Sequence, residues 1–590
     1  MSGYAASPGN PAPERLELAT IYLRYAASAI ERGCAGPPGP DEPLSPAGPG
    51  GEPGRFVIGC ASMTAPAPSA QQAMLRPAHR TPVLIALMTA MALAAMDNTI
   101  VSTAIPQVVR DLGGFSLFSW VFSGYLLTQT VTIPLQGRLA DQWGRKPVLI
   151  GGTIIFLAGS VLCASSWSMV ALIFFRGLQG IGAGGVQATV NTLAGDLYDL
   201  EERGRVQGWL SSVWGISAVI GPVLGGSLAQ YASWRWIFLI NLPVGAAAVA
   251  LLARYLHEDV HRTRHRIDVA GAAAMFVAAG ALILGLLQGG VAWPWWSVPS
   301  VTVFAVAVVA AVGAVFAERR AAEPIMPPWF WRRRVLTGSA LAALGLGLLV
   351  IGPTTFLPTY GQAVLGLGAV AAGAVLGTMS LGWPLASSQS ARLFLRAGFR
   401  DTQLVGAGIC LVSVAAFLLA PDPAPLWQPV LETFVLGAGL GLLSVASIVG
   451  PQSTVGWGER GVVTGTVMFC RYLGQSLGAA IFGAIFNASL SGRLRGATEP
   501  LRRRLPHEVS SVGAALGRPQ ALGRAAEDYL RAAIATATRD VYIGLTAVAA
   551  LTIIGVLLIM PRRFSTAAGG TASAGPGDPG PAEPAEEKTG

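Results

Sequence analysis

Between residues 82 and 560 the chain is built from apolar segments of about twenty residues, and these decide what it can fold into. A helix rises 1.5 Å per residue, so a segment of about twenty residues crosses a hydrocarbon layer of about 30 Å. Fourteen such segments fall near 82–105, 117–136, 148–166, 169–191, 207–230, 236–254, 269–288, 299–317, 336–358, 369–389, 403–420, 429–450, 462–486 and 540–560. The sequence predicts an all-α polytopic membrane protein. Only 12% of the residues are charged, where a soluble domain carries about 25%. The 74 glycines suit helices that pack closely in lipid.

The net charge of +9 does not point to nucleic acid, because the basic residues are scattered between apolar blocks. Loops after even-numbered spans hold most of the Arg and Lys, while the short loops after odd-numbered spans hold only Arg110 and Arg235. By the positive-inside rule both termini are cytoplasmic. Residues 487–539 break the pattern, with nine arginines on the outer side. Long segments cross regardless of charge, and a surface helix is expected over 508–538. Arginine outnumbers lysine 38 to 2, which with abundant Ala and Gly suggests a GC-rich bacterial genome and so a bacterial cytoplasmic membrane.

Residues 1–75 are rich in Pro, Gly and Ala and are expected to be disordered, as is the tail 564–590. Met1 and Met74 both remain open as the true start. Between the tails the expected units are 76–255, a six-helix bundle; 256–334, two additional spans; and 335–563, a second six-helix bundle with the long outer loop. A weak repeat supports two bundles: GRLADQWGRK at 137–146 and ARLFLRAGFR at 391–400 each follow a span. The five cysteines show neither a disulfide framework nor zinc spacing.

Four segments carry more than hydropathy. MDNTIVSTAIP (96–106) puts Asp97 inside the first span, and a carboxylate there is costly and commonly functional. GRLADQWGRKPVL (137–149) supplies Gly137 and Gly144 for a tight turn and close approach, with Asp141, Arg145 and Lys146 as charges for a latch. Asp196, at the end of span four, is the expected partner of Arg145. LIFFRGLQGIGAGG (172–185) buries Arg176 in span four, with Gln179 one turn on. By helical rise Asp97 lies about 22 Å and Arg176 about 20 Å from the cytoplasmic side, so an ion pair or proton relay is geometrically open. GISAVIGPVLGG (215–226) brings Gly215, Gly221, Pro222, Gly225 and Gly226 into span five, a flat face with a proline kink.

In that order, these segments resemble the major facilitator superfamily, and within it the fourteen-span drug:proton antiporters of the EmrB/QacA type, over about 82–560. WRWIFLINLPVG (234–245) looks like that group's signature at span six. Ser102 departs from the group, which often has Asn there. The resemblance implies a major facilitator fold of fourteen transmembrane helices arranged 6 + 2 + 6, with spans seven and eight peripheral. It also implies a proton site at Asp97 supported by Arg176, a latch that breaks and reforms as the halves rock, and an antiporter motif in span five. Monomer is the superfamily's default.

Further candidates are Glu432, near the outer end of span twelve, an interfacial acid that could also meet a cation, and Arg471, about 14 Å into span thirteen by helical rise, which could bind an anion, pair with a carboxylate or serve a structural role. His257, His261 and His265 share a face only if their loop is helical, and a solvated basic face is the plainer reading. Trp293, Trp295 and Trp296 read as an outer aromatic belt. No Walker A sequence, HExxH or convincing GxSxG context occurs, so neither an enzyme nor an ATP-driven pump is expected, and no cofactor beyond a proton gradient. The function expected is proton-coupled export of small amphipathic compounds. A lipid or siderophore exporter, a proton-coupled importer and a non-transporting sensor are the alternatives.

Overall fold

The computed structural model describes residues 80–113, 117–258, 269–290, 293–321, 324–421, 423–506 and 523–562. The two expected tails, His261, His265 and the side chains of Ser102 and Pro222 lie outside the described residues. Among those residues every regular element is helical, and β pairing is limited to an isolated bridge between Gly289 and Trp293.

The first group of helices is α1 (Arg80–Leu112), α2 (Phe118–Trp143), α3 (Arg145–Ala164), α4 (Met169–Leu197), α5 (Leu200–Tyr231), the short α6 (Trp236–Leu239) and α7 (Asn241–Tyr255). Next come α8 (Val269–Gln288), α9 (Val298–Arg320) and the short α10 (Pro328–Arg332). The last group is α11 (Arg334–Ala363), α12 (Ala369–Gly377), α13 (Met379–Ala397), α14 (Phe399–Leu418), α15 (Trp427–Gln452), α16 (Arg460–Arg495), the short α17 (Glu499–Arg502) and α18 (Arg524–Ile559).

Twelve helical stretches among the described residues are long and apolar enough to cross a membrane, and they stand in the places of twelve of the fourteen expected spans. The places of the second and seventh are held by α2 and α8. In α8 the apolar stretch is the shorter Ala270–Leu286. In α2 the cause is a polar face turned onto α4. Thr128 Oγ1 donates to the Gly177 carbonyl at 2.8 Å and Gln136 Nε2 to the Ile181 carbonyl at 2.6 Å. Thr128 and Gln136, which lower the hydropathy, are here satisfied inside the bundle.

The densest packing pairs α2 with α4, α3 with α4, α11 with α16, and α15 with both α13 and α14. The first and last groups meet where α5 lies on α13 and α2 on α16. α8 and α9 pair with each other, and α8 rests on α2 and α16. The α9 window is only 17% buried, consistent with a peripheral pair. Between α8, α9 and α16 lies a lateral cavity of about 1080 Å³, lined by apolar groups such as Leu282, Phe304, Phe469 and Leu473.

Glycine sets the closest approaches. At Gly159 of α3 a Cβ would sit 2.8 Å from the Cα of Gln179 on α4. Gly182 of α4 answers it, since a Cβ there would meet the Phe156 Cα at 2.8 Å. Gly159→Leu is expected to force α3 off α4 and destabilise the protein by about 1–3 kcal/mol. A lowered melting temperature in detergent is the check, and an unchanged one would show that α4 yields freely.

One expectation is corrected. α16 continues to Arg495 and α18 begins at Arg524, so the segment between the last two spans is shorter than 487–539. Residues 524–538 are the first turns of the last span, not a separate surface helix; 507–522 lie outside the described residues. The reason is continuity of the buried stripe: Ala526, Leu530, Ala533, Ile534, Ala537, Val541 and Leu545 follow helical spacing without interruption. Ser489 Oγ donates to Asp540 at 2.6 Å and Tyr529 Oη to the Arg493 carbonyl at 2.7 Å, fastening α16 to α18 there.

Candidate functional site

Five helices converge on Asp97. It stands in the middle of α1 and is fully buried, as are Arg176 and Gln179 of α4. Arg176 Nη1 pairs with Asp97 Oδ2 and donates to Gln179 Oε1 at 2.7 Å. Gln179 Nε2 donates to Asp97 Oδ1 at 2.9 Å and to Ser160 Oγ of α3 at 2.8 Å. Asn241 Nδ2 reaches Asp97 Oδ1 at 3.4 Å and Ser160 Oγ at 3.3 Å. From α2, the Val121 carbonyl accepts from Arg176 Nε at 3.3 Å, and the Tyr125 ring lies 4.1 Å beneath the guanidinium. Arg176 Nη2 is buried without a hydrogen-bond partner.

Asp97, Arg176 and Gln179 were candidates from sequence, and the fold joins all three. Ser160, Asn241 and Tyr125 complete the site and were not singled out. Asn241 is the first residue of α7, just after the break at Ile240 that ends α6. Its signal was the polar residue inside WRWIFLINLPVG. The span-five motif grips α1 beside the network. A Cβ at Gly221 would collide with Thr99, and Thr99 Oγ1 donates to the Ser217 carbonyl at 2.9 Å. Gly215 instead seats α5 on α13, where a Cβ would lie 2.8 Å from the Ser380 carbonyl oxygen. Gly225 is buried, whereas Gly226 faces open space, so the flat face is shorter than the motif.

The second site closes one end of the bundle. Arg145 is fully buried and donates to Asp141 Oδ1 at 2.7 Å, Asp196 Oδ2 at 3.0 Å and the carbonyls of Ala140 and Trp457. Its guanidinium also stacks on the Trp457 ring at 3.7 Å. Asp141 accepts from the backbone N–H groups of Gly461 at 2.8 Å and Val462 at 2.7 Å. These are orphan donors in the first turn of α16, so the carboxylate meets the positive end of that helix. Arg460 Nη1 donates to Asp196 Oδ1 at 2.9 Å. Gly137 and Gly461 let α2 and α16 touch, since a Cβ on either would run into the other's carbonyl oxygen. Gly144 has φ 95°, a conformation that favours glycine between α2 and α3.

The latch therefore links both groups of helices through Trp457, Arg460, Gly461 and Val462, none of which the motif contains. Lys146 is corrected: its Nζ donates to the Ala253 carbonyl at 2.9 Å, outside the latch. Glu258 instead accepts from the backbone N–H groups of Arg145 and Lys146 at 2.8 and 2.7 Å, capping α3. Site and latch share three helices. Tyr125 and Asp141 stand about 24 Å apart along α2, Ser160 and Arg145 about 22 Å apart along α3, and Arg176 and Asp196 about 30 Å apart along α4.

Asp141 lies beyond the apolar stretch 117–136. Burial pushes its carboxyl up to about 7, against the pull of Arg145 and the two α16 amides. When the latch opens, water returns and the value falls back toward 3.8. The closed form thus holds a proton that the open form releases between those values. Closure gains fully below the lower value and loses that gain as pH rises through about 7. Spin labels at Trp143 and Gly458 should report a larger closed fraction at pH 5.5 than at pH 8, with the dependence lost in Asp141→Asn. A closed fraction independent of pH would refute the assignment.

The other candidates separate. Glu432 is buried inside the last group of helices. Its carboxylate oxygens have no hydrogen-bond partner, and the Tyr542 hydroxyl is close by. Arg471 makes no ion pair among the described residues; its guanidinium lies 5.1 Å over the Trp383 ring. His257 Nδ1 is 3.4 Å from the Tyr255 carbonyl, and no group of residues suited to a metal ion occurs among the described residues. Trp295 stacks on Phe304 and Trp296 is exposed.

A helical membrane bundle with a buried acid–base network and a charged latch at one end defines a secondary transporter by its parts. Residues 87–479 match the Major Facilitator Superfamily, and the chain belongs to that family. It is 34% identical over 443 residues to the multidrug transporter protein MdtP of Bacillus subtilis, covering 74% of this chain and 81% of that protein. It is 33% identical to multidrug resistance protein 3 of the same organism, covering 70% and 81%. Among solved structures it resembles the human organic anion transporter MFSD10 with a TM-score of 0.56 at 15% identity, covering 82% of this chain and 100% of that one. The proton:xylose symporter XylE matches with a TM-score of 0.53 at 11% identity, covering 82% and 96%. At those identities the likeness is one of fold.

Proposed function

We propose that this transporter exports small amphipathic compounds in exchange for protons, through fourteen spans arranged 6 + 2 + 6, with both termini cytoplasmic in a bacterial plasma membrane. The observation that carries the reading is the buried Asp97–Arg176 pair with its amide and hydroxyl partners. Two relatives named as multidrug transporters, each at least 33% identical, support the export of drug-like compounds.

The chemistry follows from the charges. A proton on Asp97 removes the counter-charge of Arg176, leaving that guanidinium the Val121 carbonyl, Gln179 Oε1 and the Tyr125 ring. Tyr125 and Arg176 sit on the helices that carry Asp141 and Asp196, so rearrangement at one end of α2 and α4 changes the strain on the latch at the other. Substrate enters from the cytoplasm or inner leaflet while Asp97 is ionised and the latch is open. The protein then closes that end and releases substrate outside, and a proton taken up by Asp97 favours the return. The cytoplasmic placement of the latch rests on the distribution of Arg and Lys between loops.

The test uses inside-out vesicles with an acidified interior, a panel of amphipathic compounds and a pH-sensitive dye. Proton release on adding a compound, absent from vesicles lacking the protein, is the expected result. Compound movement without proton movement would overturn the coupling. Accumulation with the gradient reversed in right-side-out vesicles would make the protein an importer.

A further inference from the structure

Among the described residues, Glu432 and Arg471 stand inside the bundle without an ion pair, and they differ in access. Glu432 is enclosed by the core of the last group. Arg471, in the first half of α16, is only partly buried, as is the Trp383 ring of α13 beneath it. The Nε of Arg471 is buried without a partner, and neither Nη makes a hydrogen bond to any described residue. The guanidinium is therefore held by its stem and one aromatic face, with its forked end free.

An unpaired cation at this depth costs several kcal/mol unless an anion meets it. Close helix packing holds it there. A Cβ at Gly347 of α11 would collide with the Arg471 carbonyl, and one at Gly474 with the Leu344 carbonyl, so α16 is pressed onto α11 at Arg471 and one turn beyond it. The Asp97–Arg176 pair is internally compensated, and no described carboxylate pairs with Arg471. Tyr472, the next residue, is within electrostatic reach of Tyr125, whose ring carries Arg176.

We propose that Arg471 and Trp383 recognise the polar end of the cargo, and that the cargo class is an aromatic amphipath bearing one carboxylate or sulfonate. The forked guanidinium matches a planar or tripodal oxyanion, and Trp383 offers a flat apolar face to the adjoining ring. This rests on the reading that the chain carries small amphipathic compounds, but not on the coupling ion or on the direction of transport.

The experiment is equilibrium binding to the full chain in lipid nanodiscs without any gradient, with empty discs subtracted. The probes are 8-anilino-1-naphthalenesulfonate and N-phenyl-1-naphthylamine, which share an aromatic body and differ by the sulfonate. Wild type should prefer the sulfonate by about ten- to a hundredfold, the range of a charge-assisted hydrogen bond lost from a neutral analogue. Arg471→Gln should erase the preference while leaving the neutral probe's affinity within about twofold. Arg471→Lys should retain part of it, as a point charge without the fork. Equal binding of the two probes by wild type, no binding of the sulfonate, or a preference that survives Arg471→Gln would each overturn the proposal. The wild-type comparison decides even if a variant fails to fold. Loss of proton release in the vesicle assay would leave this result standing, so the two readings fail separately.

Discussion

Asp97→Asn is expected to abolish substrate-driven proton release and to lower the stability of the protein. Asparagine fills the same volume and can keep a hydrogen bond to Gln179, but it carries no charge and takes up no proton. Arg176 is then a fully buried cation facing only an amide, a carbonyl and an aromatic ring. Removing one partner of such a pair costs about 3–5 kcal/mol, because the remaining charge is left uncompensated. Arg176→Gln should be destabilising for the mirror-image reason. The double variant Asp97→Asn/Arg176→Gln should recover most of the lost melting temperature, since a neutral network replaces an orphaned charge, and should remain uncoupled. Stability and coupling thus part company in the double variant. Proton release surviving in Asp97→Asn would make the acid a structural partner of Arg176 and move the proton site elsewhere.

Gly137→Val is expected to act on the conformational equilibrium. Its side chain would enter the space of the Gly461 carbonyl, which lies against α2 only while the latch is closed. Overpacking of about 1–3 kcal/mol confined to one state shifts the population by about ten- to a hundredfold. Transport should fall accordingly, and spin labels at Trp143 and Gly458 should move apart. Gly461→Val should give the same result from the opposite helix, because its side chain meets the Gly137 carbonyl and Asp141. A Gly137→Val protein with unchanged label distance would show that α2 and α16 can separate locally without opening the end. The clash is confined to the closed state, so the variant should keep its melting temperature, whereas Gly159→Leu should lower it because its contact lies within one group of helices.

Both experiments probe residues whose type is legible in the linear chain. Asp97 and Arg176 stand out because ionisable groups are expensive in an apolar span, and helical rise alone puts them at a common depth. Asp141, Arg145, Gly137 and Gly144 stand out because mixed charge and glycine break an apolar pattern over a few residues. The places of the spans are likewise local information, because hydropathy over about twenty residues needs no partner to be read.

Whatever depends on which helix faces which had to come from the folded chain. Lys146 and Arg145 are neighbours in sequence, yet one reaches the Ala253 carbonyl and the other the buried latch, since successive residues on a helix point about 100° apart. Trp457, Arg460 and Gly461 belong to the latch only because α16 begins against α2, more than 300 residues away in the chain. Ser160 and Asn241 are ordinary polar residues until α3 and α7 bring them to Asp97. Glu432 and Arg471 look alike as lone charges in apolar helices, and only the packing around them encloses one and leaves the other open. Hydropathy and charge along the chain settle that it spans a membrane, roughly where, and which charges it carries there. Long-range packing settles which of those charges find partners, because a hydrogen bond or ion pair exists only at a distance that no local pattern encodes.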